Sequence, residues 1–144
     1  MNPRDFLTQA QRLVSLAGKE DWRSAVSRAY YSAFHVAREF MEDLGFTVPQ
    51  ADRAHGYLWL RLQNCGEPSL VQLGRDLQEL RRQRNFADYD LNRPYRHSDA
   101  QREDLRAAGL ILILDAVVEP TRTQVMNAMK DYERLVLQVV TWHP

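Results

Sequence analysis

The chain has 144 residues, the length of one domain, and its 44% hydrophobic and 26% charged content is typical of a globular protein and argues against a disordered or fibrous one. Nineteen basic residues balance nineteen acidic residues, so no net charge attracts nucleic acid or an anionic membrane, and a polyanion site must be local. The single cysteine excludes an internal disulfide, and the longest apolar run, residues 109–114, is too short to cross a membrane. We therefore expect a cytoplasmic protein with no membrane partner.

Apolar residues recur every three or four positions in the first half of the chain. Asn2 and Pro3 favour the start of a first amphipathic helix, which Gly18 ends. A long second helix is predicted over residues 21–44, and its apolar face is the best candidate for the centre of the core. After a loop, the same spacing predicts a shorter third helix over residues 53–63.

Helical signals continue in the second half. Ser69 can cap a fourth helix, which becomes polar and ends before Pro94. Two further helices are predicted over residues 99–118 and 122–140, separated by Pro120. Their starts fit capping boxes, in which side chains satisfy free backbone amides, formed by Ser98 with Gln101 and by Thr121 with Gln124. The sequence therefore predicts an all-α bundle of five or six helices, without a sheet.

Two polar regions could carry chemistry. On the second helix, Arg28, Tyr31 and His35 lie opposite the apolar face and combine a cation, a phenol and an imidazole. Residues 81–97 contain five arginines and two aspartates, with aromatic residues between them. Arginine suits phosphate oxygens and aromatic rings stack on bases, but both regions are equally compatible with a solvated helix face.

Standard cofactor and metal motifs do not occur in the sequence. It contains no phosphate-binding glycine loop, no nucleophile elbow, no HExxH and no paired-cysteine zinc pattern. The four histidines fall on different predicted elements. We therefore expect neither a cofactor nor a metal ion.

Two segments taken together resemble the HEPN domain family, in its small stand-alone prokaryotic branch. They are AVSRAYYSAFHVAREFMEDLGF at residues 25–46 and LQELRRQRNFADYDL at residues 77–91, which carry the patterns AxxRAYYxxFH and RxxADYD. His55 in AHGYLW lies between them, as a histidine near the next helix does in that branch. The resemblance covers residues 5–118. We interpret residues 1–144 as one HEPN-like domain, with 119–144 as an added C-terminal helix.

The resemblance implies an antiparallel helical bundle, commonly a homodimer, connected with RNA cleavage, nucleotide binding, toxin–antitoxin pairs and phage defence. Many members cleave RNA without metal, using an arginine followed closely by a histidine, from sites that meet across a dimer. Here Arg84 and Asn85 match the start of that motif, while the position of the histidine falls at Asp88 or Tyr89. Asp88 could neutralise Arg28 or Arg84 inside the bundle. Alternatively, it could orient an arginine or histidine in a ligand site where Arg28, His35, Arg84 and Tyr89 converge on a phosphate or nucleotide.

Three functions remain open from the sequence. We favour an RNA- or nucleotide-binding protein of a toxin–antitoxin or defence system. A metal-independent ribonuclease would use Arg84 with His35 in place of the motif histidine, and a non-catalytic subunit would dock a partner such as a nucleotidyltransferase antitoxin. The predicted binding residues are Arg28, Tyr31, Arg81, Arg82, Asn85, Asp88 and Tyr89.

Overall fold

A computed structural model describes residues 1–143, whose regular secondary structure is helical apart from one isolated β-bridge between Phe46 and Trp142. This confirms the all-α prediction. No helix in the described range is long and apolar enough to span a membrane. The elements are α1 (Arg4–Val14), α2 (Lys19–Asp43), α3 (Arg53–Gln63), α4 (Pro68–Tyr89), α5 (His97–Asp115), α6 (Thr121–Tyr132) and a final π-helical turn (Glu133–Leu137).

Helix α2 forms the centre of the bundle, as the sequence predicted. It packs against α1, α4 and α5. Four alanines at every fourth position, Ala25, Ala29, Ala33 and Ala37, are completely buried along its inner face. Their small side chains let the neighbouring helices approach closely, so the outer residues of α2 lie within reach of side chains from α1 and α4. The helix ends before Gly45, which adopts a left-handed φ of 100°.

Both predicted capping boxes are wrong. Helix α5 begins two residues earlier than expected, where the Asp99 carboxylate accepts a hydrogen bond from the Arg96 amide at 2.9 Å. Helix α6 begins at Thr121 without a side-chain cap, because the carbonyls of Val118 and Pro120 already accept hydrogen bonds from amides of its first turn. The reach of a capping side chain depends on backbone geometry that the residue pattern alone does not determine.

The last predicted helix is shorter than expected. Regular α-helix ends at Tyr132, and after the π-helical turn Gln138 adopts a left-handed φ of 56° that stops the helix before residue 140. The chain then runs back along the loop after α2. The Thr47 amide donates to the Thr141 carbonyl at 2.8 Å, and the His143 amide donates to the Gly45 carbonyl at 2.9 Å.

Candidate functional site

Tyr31 joins the two predicted catalytic residues, and the group formed by Phe6, Tyr31, His35, Arg84 and Asp88 is called here the Tyr31 cluster. Arg84 on α4 donates from Nη2 to the Tyr31 hydroxyl at 2.6 Å. The His35 ring stacks on the Tyr31 ring with centroids 6.3 Å apart. Arg84 and His35 therefore contact the same tyrosine, although 49 positions separate them in the sequence.

Arg84 is held on several sides by the protein. Its Nε lies 2.9 Å from Asp88 Oδ2, and its Nη1 donates to Asn85 Oδ1 at 3.2 Å. Asp88 also accepts a hydrogen bond from the Ser27 hydroxyl at 3.2 Å. The structure thus pairs Asp88 with Arg84, one of the two partners considered from the sequence, in a site that is only half-buried. Both terminal nitrogens of Arg84 donate hydrogen bonds and its Nε faces the Asp88 carboxylate without a hydrogen bond, so a phosphate would have to displace one of these contacts.

His35 sits among aromatic rings. Its ring stacks on Phe6 of α1 with centroids 5.9 Å apart and meets the edge of Phe34 at 5.0 Å. Burial lowers the pKa of His35, and Arg38 lowers it further against the opposing effect of Glu39. The imidazole is therefore neutral at pH 7 and able to accept a proton.

The other residues predicted on this side lie at the edge of the Tyr31 cluster. The Arg28 guanidinium lies 5.8 Å from the centre of the Phe6 ring. Tyr89 is 72% exposed, and its ring centre lies 5.5 Å from the Arg84 guanidinium. Both side chains are accessible to solvent, so they lie at the rim of the Tyr31 cluster rather than in its interior.

Arg81, Arg82 and Asn85 face a different surface. They line a groove of about 580 Å³ between α3 and α4, called here the α3/α4 groove, together with Trp59, Arg75 and Phe86. Asn85 is the link between the two surfaces, because its side chain also accepts the hydrogen bond from Arg84. The structure therefore divides the predicted binding residues into two neighbouring sets.

The arginines of the α3/α4 groove make fewer hydrogen bonds within the described residues than Arg84 does. The Arg81 guanidinium lies 5.5 Å from the centre of the Trp59 ring, and its Nε is buried without a hydrogen-bond partner among residues 1–143. The side chain of Arg82 is 66% exposed, and its ion pair with Glu79 is long, at 3.6 Å. The groove thus presents cationic groups beside aromatic rings, where a bound anion would find donors.

A buried pair lies behind both surfaces. Tyr30 hydrogen bonds through its hydroxyl to His55 Nδ1. Burial lowers the pKa of His55 to about 4, with a further contribution from Arg81. His55 therefore stays neutral at pH 7 and adds no positive charge near Arg81.

A sequence profile of the HEPN domain matches residues 4–136 of the chain. The chain belongs to the HEPN domain family. No curated protein and no solved structure shows significant similarity to it. Membership connects this HEPN domain with RNA or nucleotides, a connection that often involves toxins or defence. The match extends through α6, beyond the segment in which the resemblance was seen in the sequence.

Sequence reasoning missed Trp59 as a site residue of this HEPN domain. Trp59 lies on α3, 22 positions before Arg81, and nothing in the sequence indicates that its ring faces α4. The only signal is an aromatic residue between the buried leucine Leu58 and the exposed leucine Leu60. Such a position at the edge of a helix face is compatible with packing as well as with binding.

Proposed function

We propose that this HEPN domain binds RNA or a nucleotide in the α3/α4 groove. The observation that supports the proposal is the meeting of three arginines and two aromatic rings around one carboxylate. Arg75, Arg81 and Arg82 against Glu79 give a local charge of three minus one, or +2, in a chain whose net charge is zero. Arginine binds phosphate oxygens through paired hydrogen bonds, and aromatic rings stack on bases.

Each part of the groove has a role in this proposal. Arg81 lines the groove and has no ion pair among residues 1–143, and Arg82 is exposed with only a long ion pair to Glu79, so both can contact phosphate without losing a strong internal ion pair. Trp59 offers a ring for one base, and Phe86, on the other helix, has its ring centre 3.8 Å from the Arg93 guanidinium and completes the aromatic lining of the groove. Arg84 supports this surface indirectly, since its hydrogen bond positions Asn85 at the end of the groove.

Binding of a short fluorescein-labelled single-stranded RNA, followed by fluorescence anisotropy, tests the proposal. Both Arg81→Ala and Trp59→Ala are expected to weaken binding about tenfold, the order of one lost stacking or phosphate contact. Affinity should also fall with salt, and less steeply in Arg81→Ala, because one cation fewer is displaced from the RNA. Arg12→Ala removes the same charge from the exposed face of α1 and serves as the control. Equal affinities of Arg81→Ala and Arg12→Ala would reject the groove.

Metal-independent RNA cleavage at the Tyr31 cluster is a second candidate function. The observation that favours it is that His35 and Arg84 contact the same tyrosine while the imidazole is neutral. A neutral histidine can take the proton of a ribose 2′-hydroxyl, whose oxygen then bonds to phosphorus while the bond to the 5′-oxygen breaks. The 5′-oxygen takes a proton from water, and an arginine can stabilise the charge that gathers on the phosphoryl oxygens. To bind a phosphate, Arg84 would have to exchange part of its ion pair with Asp88 for a contact with the phosphate.

Cleavage of the same RNA in the presence of EDTA tests this second function. We expect activity that survives the chelator and is lost in His35→Ala, with binding in the groove retained. His143→Ala, which alters an exposed histidine near the C-terminus, is the control. Cleavage that EDTA abolishes, or that His35→Ala leaves unchanged, would contradict this assignment.

The biological setting remains a prediction. We propose a cytoplasmic homodimer that acts in a toxin–antitoxin pair or in defence. This proposal rests on membership of the HEPN domain family. If the domain is not catalytic, we propose that it docks a partner such as a nucleotidyltransferase.

A further inference from the structure

A groove between α1 and α5 shares no lining residue with the Tyr31 cluster or with the α3/α4 groove. Its volume is about 400 Å³, and its walls are mostly apolar. It is called here the α1/α5 groove. The side chains that form it are Gln11 and Val14 from α1, and Gln101, Asp104, Leu105 and Ala108 from α5.

Asp104 is the unusual residue of this groove. It is only 7% exposed, and its Oδ1 has no hydrogen-bond partner among residues 1–143. The other side chains that line the groove on both helices are amides or apolar groups, so none of them carries a compensating charge. A buried carboxylate without a partner is costly, and proteins normally pair such a group. Asp104 itself lines the α1/α5 groove, so a group that enters the groove lies beside this carboxylate.

We propose that the α1/α5 groove receives a lysine or arginine side chain presented by a partner protein. The cationic head pairs with the Asp104 carboxylate, and the apolar stem packs between Val14, Leu105 and Ala108. Long cationic side chains combine these two characters, an aliphatic stem and a charged end. The side-chain oxygens of Gln11 and Gln101 can accept the N–H groups that Asp104 leaves unpaired.

Apolar surface next to the groove indicates a protein rather than a small molecule. Leu105 is 74% exposed and Leu112 is 70% exposed, and their spacing of seven places them two turns apart on one face of α5. This face continues past the groove, where a small ligand would leave Leu112 uncovered. A helix with an apolar face and one cation would cover both leucines while it supplies the charge. The proposal is independent of RNA binding.

Burial also predicts how such binding responds to pH. Burial raises the pKa of Asp104 to about 7, so a large part of the carboxyl is protonated at pH 6. A cation binds the ionised form. Affinity is therefore expected to rise between pH 6 and pH 8.

Two probes test the proposal by nuclear magnetic resonance. The n-butylguanidinium ion, titrated to tens of millimolar, reproduces an arginine side chain. A short helical peptide with an arginine between two leucines on one face reproduces the proposed partner surface. We expect both probes to shift resonances of Gln101 and Leu105, and we expect the peptide to bind at least tenfold more tightly because it also covers Leu112.

Matched variants decide the outcome. Asp104→Asn should abolish the response to both probes, whereas Leu112→Ser should weaken only the peptide. Asp131→Asn, at an exposed carboxylate on α6, should change neither. Unchanged binding in Asp104→Asn, or no response to either probe, overturns the site. A peptide that binds no more tightly than butylguanidinium overturns the protein partner in favour of a free organic cation.

Self-association is measured separately by sedimentation velocity. If Asp104→Asn dissociates a dimer that wild type and Asp131→Asn both form, the groove is occupied by a second copy of this chain, and the proposal of a different partner protein fails. Equal association of the three proteins supports the proposal.

Discussion

The Arg84–Asp88 pair shows how partial burial determines the energetic weight of a single contact. The Arg84 side chain is 15% exposed and that of Asp88 is 26% exposed. Exposed ion pairs contribute up to about 1 kcal/mol, whereas breaking a fully buried pair costs about 3–5 kcal/mol. This pair lies between those limits. The further hydrogen bonds of Arg84 to Tyr31 and Asn85 reduce its dependence on Asp88.

We therefore expect Asp88→Asn to lower the free energy of unfolding by about 1–2 kcal/mol. The amide keeps the shape and can still accept the Ser27 hydrogen bond, but it loses the charge that faces Arg84. Thermal unfolding should show a melting temperature lower by roughly 5 °C. Asp131→Asn, at an exposed pair, should stay within about 0.5 kcal/mol of wild type. A melting temperature that does not change would mean that Tyr31 and Asn85 alone satisfy Arg84.

At the scale of elements, the segment after α6 depends on one buried ion pair. Glu133 is completely buried, and Arg61 on α3 is 4% exposed. Arg61 Nε donates to the Glu133 carboxylate at 2.8 Å, and Nη2 lies 2.7 Å from it. The same carboxylate accepts the Thr141 amide at 3.0 Å. Glu133 thus connects the segment around Thr141 to α3, and the regular helix does not continue to residue 140.

Glu133→Gln should destabilise the protein by about 3 kcal/mol, because it leaves the Arg61 charge buried without a counter-ion. The double variant Arg61→Met with Glu133→Gln removes both charges and should recover much of the loss. Chemical denaturation of the single and double variants measures the difference. A double variant no more stable than Glu133→Gln would show that the pair does not carry the effect.

Helix positions could be predicted from the sequence, but the arrangement of the site could not. The observed bounds of α3 match those predicted, and α2 begins two residues early, because apolar spacing is a local property of the chain. The direction of each arginine on α4 depends on its neighbours in space. Arg81 meets Trp59 of α3, whereas Arg84 meets Tyr31 of α2. Helix periodicity separates such positions but does not say which helix each one faces.

The same limit applies to the end of the chain. Residues 122–140 have helical spacing, yet the partner that makes Glu133 a buried residue lies 72 positions away, at Arg61. No local pattern marks a carboxylate that will be buried by a distant arginine. The failure of the long sixth helix is therefore a tertiary effect that overrides local propensity.

At the scale of the whole molecule, buried ionisable groups determine how stability depends on pH. Two of them act in opposite directions. The folded-state pKa of His55 lies below its usual value of 6.5, so its contribution is lost as pH falls towards about 4. The folded-state pKa of Asp104 lies above its usual value of 3.8, so its protonated form contributes stability that is lost as pH rises through about 7.

The variant Asp104→Asn isolates the second effect. Above pH 7 the folded wild-type protein holds an unpaired buried carboxylate, whereas the unfolded chain holds the same group in water. Asparagine is neutral at every pH, so the variant should be more stable than wild type at pH 8, by about 2–4 kcal/mol. The difference should shrink as pH falls from 8 to 5, because the wild-type carboxyl becomes protonated.

Urea denaturation of both proteins across this pH range measures the difference, with Asp131→Asn as the control that should follow wild type throughout. A constant difference between Asp104→Asn and wild type would mean that the substitution acts through packing and not through charge. Because the carboxylate costs stability only while it is unpaired, a cation bound in the α1/α5 groove should raise the melting temperature of wild type at pH 8. The same cation should leave the melting temperature of Asp104→Asn unchanged. Stability and binding would then both depend on the Asp104 carboxylate.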